Sequence, residues 1–326
     1  MTPTNIDEQL TKYLTDVHSI EVQALAQMRA APDIAGDEAL AAIFAAHLAE
    51  TEGHEQLIRE RLEARGASPS TLKDSAGAAT GKGFVLFAKA QPDTAGKLVA
   101  HAFSYEHMEL AAYDLLIGVA EQAGDEETAE VARRIRAEEQ AMAERLAGNF
   151  DRAAEASLRD LNPGDLREQL DKYLADAHAL EAQATELLKR GSKVAGPASL
   201  SAIYENHLAE TEEHRQLVEQ ALEAHGSSPS KLKDAALRLG ALNWGAFFAA
   251  QPDTPAKLAG FAFAFEHLEI GGYELLRRVA TRAGDGETEA IAARILAQER
   301  DAADRIHEQF PNALDASLQE QGVGAR

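Results

Sequence analysis

Phe44-Ala-Ala-His47-Leu-Ala-Glu50-Thr-Glu-Gly-His54-Glu-Gln-Leu57 is the stretch that decides the fold. With its flanks it gives one line of residues: Leu40, Phe44, His47, Glu50, His54, Leu57 and Arg61. The steps between them are all three or four, the spacing that keeps one face of an α-helix. The line is apolar at its upper end and carries two imidazoles and a carboxylate in its middle. A helix of this kind buries its polar residues only if other helices bring partners to them. The same text returns 160 residues later as Tyr204-Glu-Asn-His207-Leu-Ala-Glu210-Thr-Glu-Glu-His214-Arg-Gln-Leu217.

Outward from this stretch the whole chain proves to be written twice. Tyr13 recurs as Tyr173, Glu21 as Glu181, Glu106 as Glu266, Glu109 as Glu269 and Glu139 as Glu299, all in the same register. The repeat sets two domains, expected at 1–158 and 159–326, each long enough to bury its own core. In the first copy the spacing predicts helices at about 5–30 and 37–65. Gly66 and the Ala-Ser-Pro-Ser that follows make a stop. A longer crossover comes next, with a short apolar helix at Phe84–Ala90. Pro92-Asp93-Thr94 opens a third helix, capped by Asp93 or Thr94 and running to about Gln122. Gly124-Asp125 turns into a fourth helix that ends near Asn149, and residues 150–164 read as the linker between copies. Short loop, long crossover, short loop is the connectivity of a ferritin-like four-helix bundle. The expected fold is therefore all-α, two such bundles in tandem.

The other helices carry matching stripes. Helix 1 reads Leu10, Leu14, Val17, Glu21, Ala24 and Met28; helix 3 reads Leu98, Ala102, Tyr105 or Glu106, Glu109, Tyr113, Leu116 and Ala120; helix 4 reads Ala132, Ile135, Glu139, Met142 and Leu146. Glu109 stands 15 residues before Gly124 and Glu139 stands 15 after it, so the two face each other across a hairpin. Glu21 falls level with His47 and Glu50 by the same reasoning. Four helices thus aim carboxylates and imidazoles into one layer. Such donors suit Fe and Mn, with Zn as an alternative. The candidate ligands are Glu21, His47, Glu50, His54, Glu106, Glu109 and Glu139, and in the second copy Glu181, His207, Glu210, His214, Glu266, Glu269 and Glu299. Two ions per domain are possible, and so is a single one. Tyr113 and Tyr273 lie one turn beyond the acids and can donate to a ligand carboxylate, though packing alone also explains them. Glu138 becomes Gln298 and His101 becomes Phe261, so neither is a shared ligand.

Composition excludes several classes of function. There is no cysteine, so disulfides, iron–sulfur clusters and thiol chemistry are ruled out. A net charge of −22 disfavours nucleic acid and anionic membranes as partners. The polar opening Thr-Pro-Thr-Asn-Ile-Asp-Glu-Gln and the lack of a long apolar run make a cytoplasmic protein the expectation. The 160-residue repeat joined by a short linker leads us to expect an intramolecular pseudo-dimer.

At these residues the chain resembles the YciE/YciF family of stress-associated, ferritin-like bacterial proteins. The resemblance rests on Tyr13-Leu-x-Asp-x-His-x-x-Glu21, on His47-Leu-x-Glu50-Thr-x-x-His54, and on Glu106-x-x-Glu109-x-x-x-Tyr113 followed by Glu139. It covers nearly all of both copies. More distantly, the Glu-x-x-Glu of helix 3 is similar to that of rubrerythrins. The resemblance implies a di-iron or di-manganese carboxylate site with peroxidase- or ferroxidase-type redox activity, with O₂ or peroxide as small-molecule partners. It also leaves open a non-enzymatic stress-response or metal-sequestering role with a structural or vestigial site. One departure stands out. Di-iron relatives usually carry Glu-x-x-His on helix 4, whereas here Glu139 is followed by Met142 and Glu299 by Ala302.

Overall fold

The computed structural model describes residues 5–71, 73–75, 94–162, 164–229 and 254–323. These are helical, and no strand occurs among them. The first repeat is built from α1 (Ile6–Met28), α2 (Ala31–Ile34), α3 (Glu38–Ala64), α4 (Thr94–Ala123), α5 (Glu126–Ala147) and α6 (Phe150–Leu158). The second has α7 (Leu166–Val194), α8 (Ala198–Ala224), α9 (Thr254–Ala283), α10 (Gly286–His307) and α11 (Phe310–Glu320). The chain divides into two compact units, Met1–Ser157 with Leu318–Arg326, and Leu158–Ser317.

Helix ends follow local chemistry. The Asn5 side chain accepts from Glu8 N–H, Asp37 from Ala39 and Leu40, Asp125 from Thr128, and Asp285 from Thr288. Each satisfies backbone donors that a helix start leaves free. Gly124 takes φ +72°, and Asp125 N–H reaches back to Ala120 C=O. That left-handed residue closes α4 and lets Asp125 cap α5 immediately. The α4–α5 hairpin is tight for this reason, and it fixes the height of Glu109 against Glu139. Gly66, at φ +70°, ends α3 in the same way.

In the first repeat α1 packs on α3 and α4, and α5 packs on α4 and α3, which closes a ring of four helices. In the second, α7, α8, α10 and α9 close the same ring. The core is made of the stripes read from the sequence. Leu10, Leu14, Leu40, Phe44, Leu116, Ala132, Ile135, Met142 and Leu146 are fully buried. At about 25 cal/mol per Å² of apolar surface, these side chains drive the association of the four helices.

The expected linker at 150–164 is helical over most of its length, as α6. Phe150, Ala153, Ala154 and Leu158 make an apolar stripe that packs inward, and Ser157 Oγ accepts from Gly96 N–H at 2.8 Å. The short α2 was not foreseen. The expected crossover helix at Phe84–Ala90 and the cap at Asp93 lie outside the described residues. No helix among the described residues is long and apolar enough to cross a membrane.

Candidate metal centre

Each inward-facing acid sits on a helix stripe with apolar neighbours one turn away on both sides. Ile135 and Met142 flank Glu139; Val17 and Ala24 flank Glu21. The helices therefore bury these carboxylates as a by-product of burying their own apolar faces. Glu21, Glu106 and Glu139 are completely buried, and His47, His54 and Glu109 nearly so.

Two groups result. His47, Glu106, Glu109 and Glu139 form one, and Glu21, His54 and Glu139 form the other. Within each, one ligand atom per residue lies within 4.8 Å of the rest. Glu139 belongs to both. Its Oε1 is 2.7 Å from His54 Nδ1, and its Oε2 is 3.4 Å from His47 Nε2. His47 Nε2 is also 3.3 Å from Glu106 Oε2. The second repeat reproduces the layout with His207, Glu266, Glu269 and Glu299, and with Glu181, His214 and Glu299. There His207 Nε2 lies 2.9 Å from Glu266 and 3.2 Å from Glu299, and His214 Nδ1 lies 2.8 Å from Glu299. The two imidazoles stand 6.4 Å apart in both repeats. In each repeat the buried His/Glu groups are placed so that they could hold a metal ion.

Every imidazole turns its second nitrogen to a fixed partner. His47 Nδ1 is 2.9 Å from Glu50, and His54 Nε2 is 2.8 Å from Glu138. Their counterparts are Glu210, 2.9 Å from His207, and Gln298, 3.3 Å from His214. Such a partner fixes the ring orientation of a ligating histidine and raises its basicity. Tyr113 O–H donates to Glu21 Oε1, and Tyr273 O–H to Glu181 Oε1.

Of the sequence candidates, Glu50 and Glu210 are the two that the structure places outside the groups. An α-helix advances by 100° per residue, so Glu50 sits about 60° round the helix from His47 while His54 is only about 20° away. That offset turns Glu50 to the rim. Its side chain is one-third exposed and is bound by Arg145 at 3.0 Å. Arg305 holds Glu210 likewise, at 2.9 Å. Sequence reasoning passed over Arg145 and Arg305, although their recurrence at the repeat offset was a usable signal. It also set Glu138 aside as a ligand without assigning it the support of His54. His18, placed beside Glu21 in the sequence, serves elsewhere: its ring bridges Glu55 and Asp74.

The electrostatics are those of a crowded acid cluster. Burial, with Glu139 nearby, pushes Glu21 up to about 8. Burial pushes Glu106 up to about 7 and Glu266 likewise to about 7. It raises Glu109 and Glu269 well above the carboxylate range, with Glu139 and Glu299 next in effect. Burial also acts on Glu139, but the close imidazoles of His47 and His54 outweigh it and hold that carboxyl far below its usual value. Burial pulls His47 and His54 down, yet their carboxylate neighbours outweigh it and push them up to about 12 and about 9. Glu139 is thus the permanent anion and the two histidines its countercharges.

The donor set fits a cation. Both oxygens of Glu109 and of Glu269, and Oε2 of Glu21 and Glu181, have no hydrogen-bond partner among the described residues. A buried carboxyl without a partner is costly, and a bound divalent ion removes that cost.

Comparison with known families agrees with the internal repeat. A family model described as Domain of unknown function (DUF892) matches residues 5–159 and again residues 165–319. No solved structure gives a significant match. With nearly its whole length covered by the two matches, the chain belongs to the DUF892 family, as a tandem pair of its domains.

Proposed function

We propose that each repeat, taken as about 1–158 and 159–326, binds two first-row transition-metal ions, iron or manganese, and that the protein is a ferritin-like redox protein of the YciE/YciF type. The observation that carries this reading is Glu139, and equally Glu299, shared by two buried ligand groups. Glu21 and His54 would hold one ion, His47, Glu106 and Glu109 the other, and Glu139 would join them. Two adjacent ions supply single-electron chemistry toward O₂ or peroxide while carboxylates balance the charge.

The chain's own residues prepare for this. Glu50 and Glu138 hold the two rings so that His47 Nε2 and His54 Nδ1 face inward. Tyr113 occupies Glu21 Oε1 and leaves Oε2 free to ligate. Ile135 and Met142 exclude water from above and below Glu139. Glu50 acts here as a positioning residue, in place of the ligand role that the sequence suggested.

The test is elemental analysis of protein purified without chelator, before and after anaerobic Fe(II) or Mn(II) addition. About two ions per repeat are expected. Replacing both shared acids, Glu139→Ala with Glu299→Ala, should remove both ions from each repeat. Finding no transition metal after loading would overturn the proposal. Stoichiometric metal with no peroxide turnover would assign the chain to metal sequestration instead.

A further inference from the structure

The two repeats differ beside their acid clusters. In the second, a cavity opens against Glu266, walled by Leu188, Leu258, Phe261 and Phe265, with Gly191 on one side. The space open to the centre of a water-sized sphere is about 20 Å³. That exceeds the roughly 10–15 Å³ that one water molecule needs. Tyr204 also lines it. This tyrosine is 1% exposed, and its hydroxyl has no hydrogen-bond partner among the described residues. Burial and the Glu266 carboxylate raise its pKa, so the hydroxyl keeps its proton and remains a donor.

The first repeat has other residues at these places. Phe44 stands for Tyr204, His101 for Phe261, Tyr105 for Phe265 and Ala31 for Gly191. Tyr105 O–H is committed to Ile20 C=O at 2.9 Å. Ala102 is buried, whereas its counterpart Ala262, on the cavity wall, is half-buried. The second repeat therefore combines apolar walls, one free donor and a way in.

We infer that the second repeat takes a small apolar molecule of two or three heavy atoms bearing a hydrogen-bond acceptor, the class of dioxygen, into the Tyr204–Phe261–Phe265 cavity beside Glu266. The apolar walls favour such a molecule over water, for which Tyr204 and Glu266 are the only polar side chains among the described lining residues, fewer than the usual three partners of a buried water. Tyr204 supplies the single donor at the cavity's polar end. The inference rests on the metal-centre reading for its use but not for its test.

The test is methyl ¹³C relaxation of the full chain, free of paramagnetic metal, under oxygen pressure and under argon. Dissolved oxygen is itself paramagnetic and marks the methyls that it touches. Enhancement at Leu188 and Leu258 should exceed that at Met28 and Leu98, their counterparts in the first repeat. Ala262→Leu, on a half-buried helical position, should bring Leu258 to the level of Leu98. Should that variant not fold, Gly191→Ala narrows the same space: its Cβ would meet the Tyr204 ring at 3.5 Å, an ordinary contact. Equal enhancement in both repeats, or no response of Leu258 to the folded variant, would overturn the inference. No metal and no turnover enter this measurement, so a failure of metal binding remains a separate result.

Discussion

Metal binding should expel protons, and the structure gives their number. At pH 7 the metal-free cluster of the first repeat holds protons on Glu21, raised to about 8, and on Glu109, which burial and the Glu139 carboxylate raise well above the usual range. Glu106, at about 7, is half protonated. His47 and His54, at about 12 and about 9, are charged. Ligation needs bare carboxylates and neutral rings, so loading a repeat with two divalent ions should release about four to five protons. By linkage, the combined affinity then rises about 10⁴- to 10⁵-fold between pH 6 and 7, or roughly 100- to 300-fold per ion. Calorimetric titration of Mn(II) into metal-free protein, in buffers of different ionisation enthalpy, reads this directly. The slope of apparent enthalpy against buffer enthalpy is the proton count. Tight binding with a slope of one proton or fewer per repeat would refute the account of the cluster.

Other outcomes follow from the same geometry. The metal-free protein should lose thermal stability steadily from pH 5 to 9. Raised carboxyls stabilise the fold fully below about 4.5 and lose that contribution as pH climbs through their folded values of about 7 and about 8; raised imidazoles act in the same direction, so a flat melting profile would contradict the assignment. Tyr113→Phe leaves a buried oxygen of Glu21 without its donor and should cost the metal-free protein about 1–3 kcal/mol in urea unfolding. Glu50→Gln should lower metal affinity about 10–100-fold while two ions still bind at saturation; loss of one ion outright would make Glu50 a ligand after all.

Much of this was legible because burying a carboxylate is so unfavourable that few sequences place one on an apolar stripe. Glu21 and Glu139 stood out for that reason, and both lie at the centre of the cluster. Glu50 shows where periodicity stops. A step of three and a step of four both count as one face, yet they differ by 100° around the helix, enough to separate the interior from the rim. The supports of the histidines were harder still, since Arg145 meets Glu50 and Glu138 meets His54 across the bundle, and no local pattern announces such a meeting. The α6 segment was hidden by its shortness: nine residues with four inward apolar side chains look like a linker until something packs against them.

The Glu138 and Gln298 difference has a further consequence. In a homodimer of identical chains every mutation strikes both sites at once, and subunit exchange blends any mixture of variants. Here both sites share one gene and one backbone. A single substitution can alter the support of His214 while His54 keeps its own, and every molecule made carries the same inequality. The duplication therefore lets one acid cluster change its surroundings while the other keeps its own.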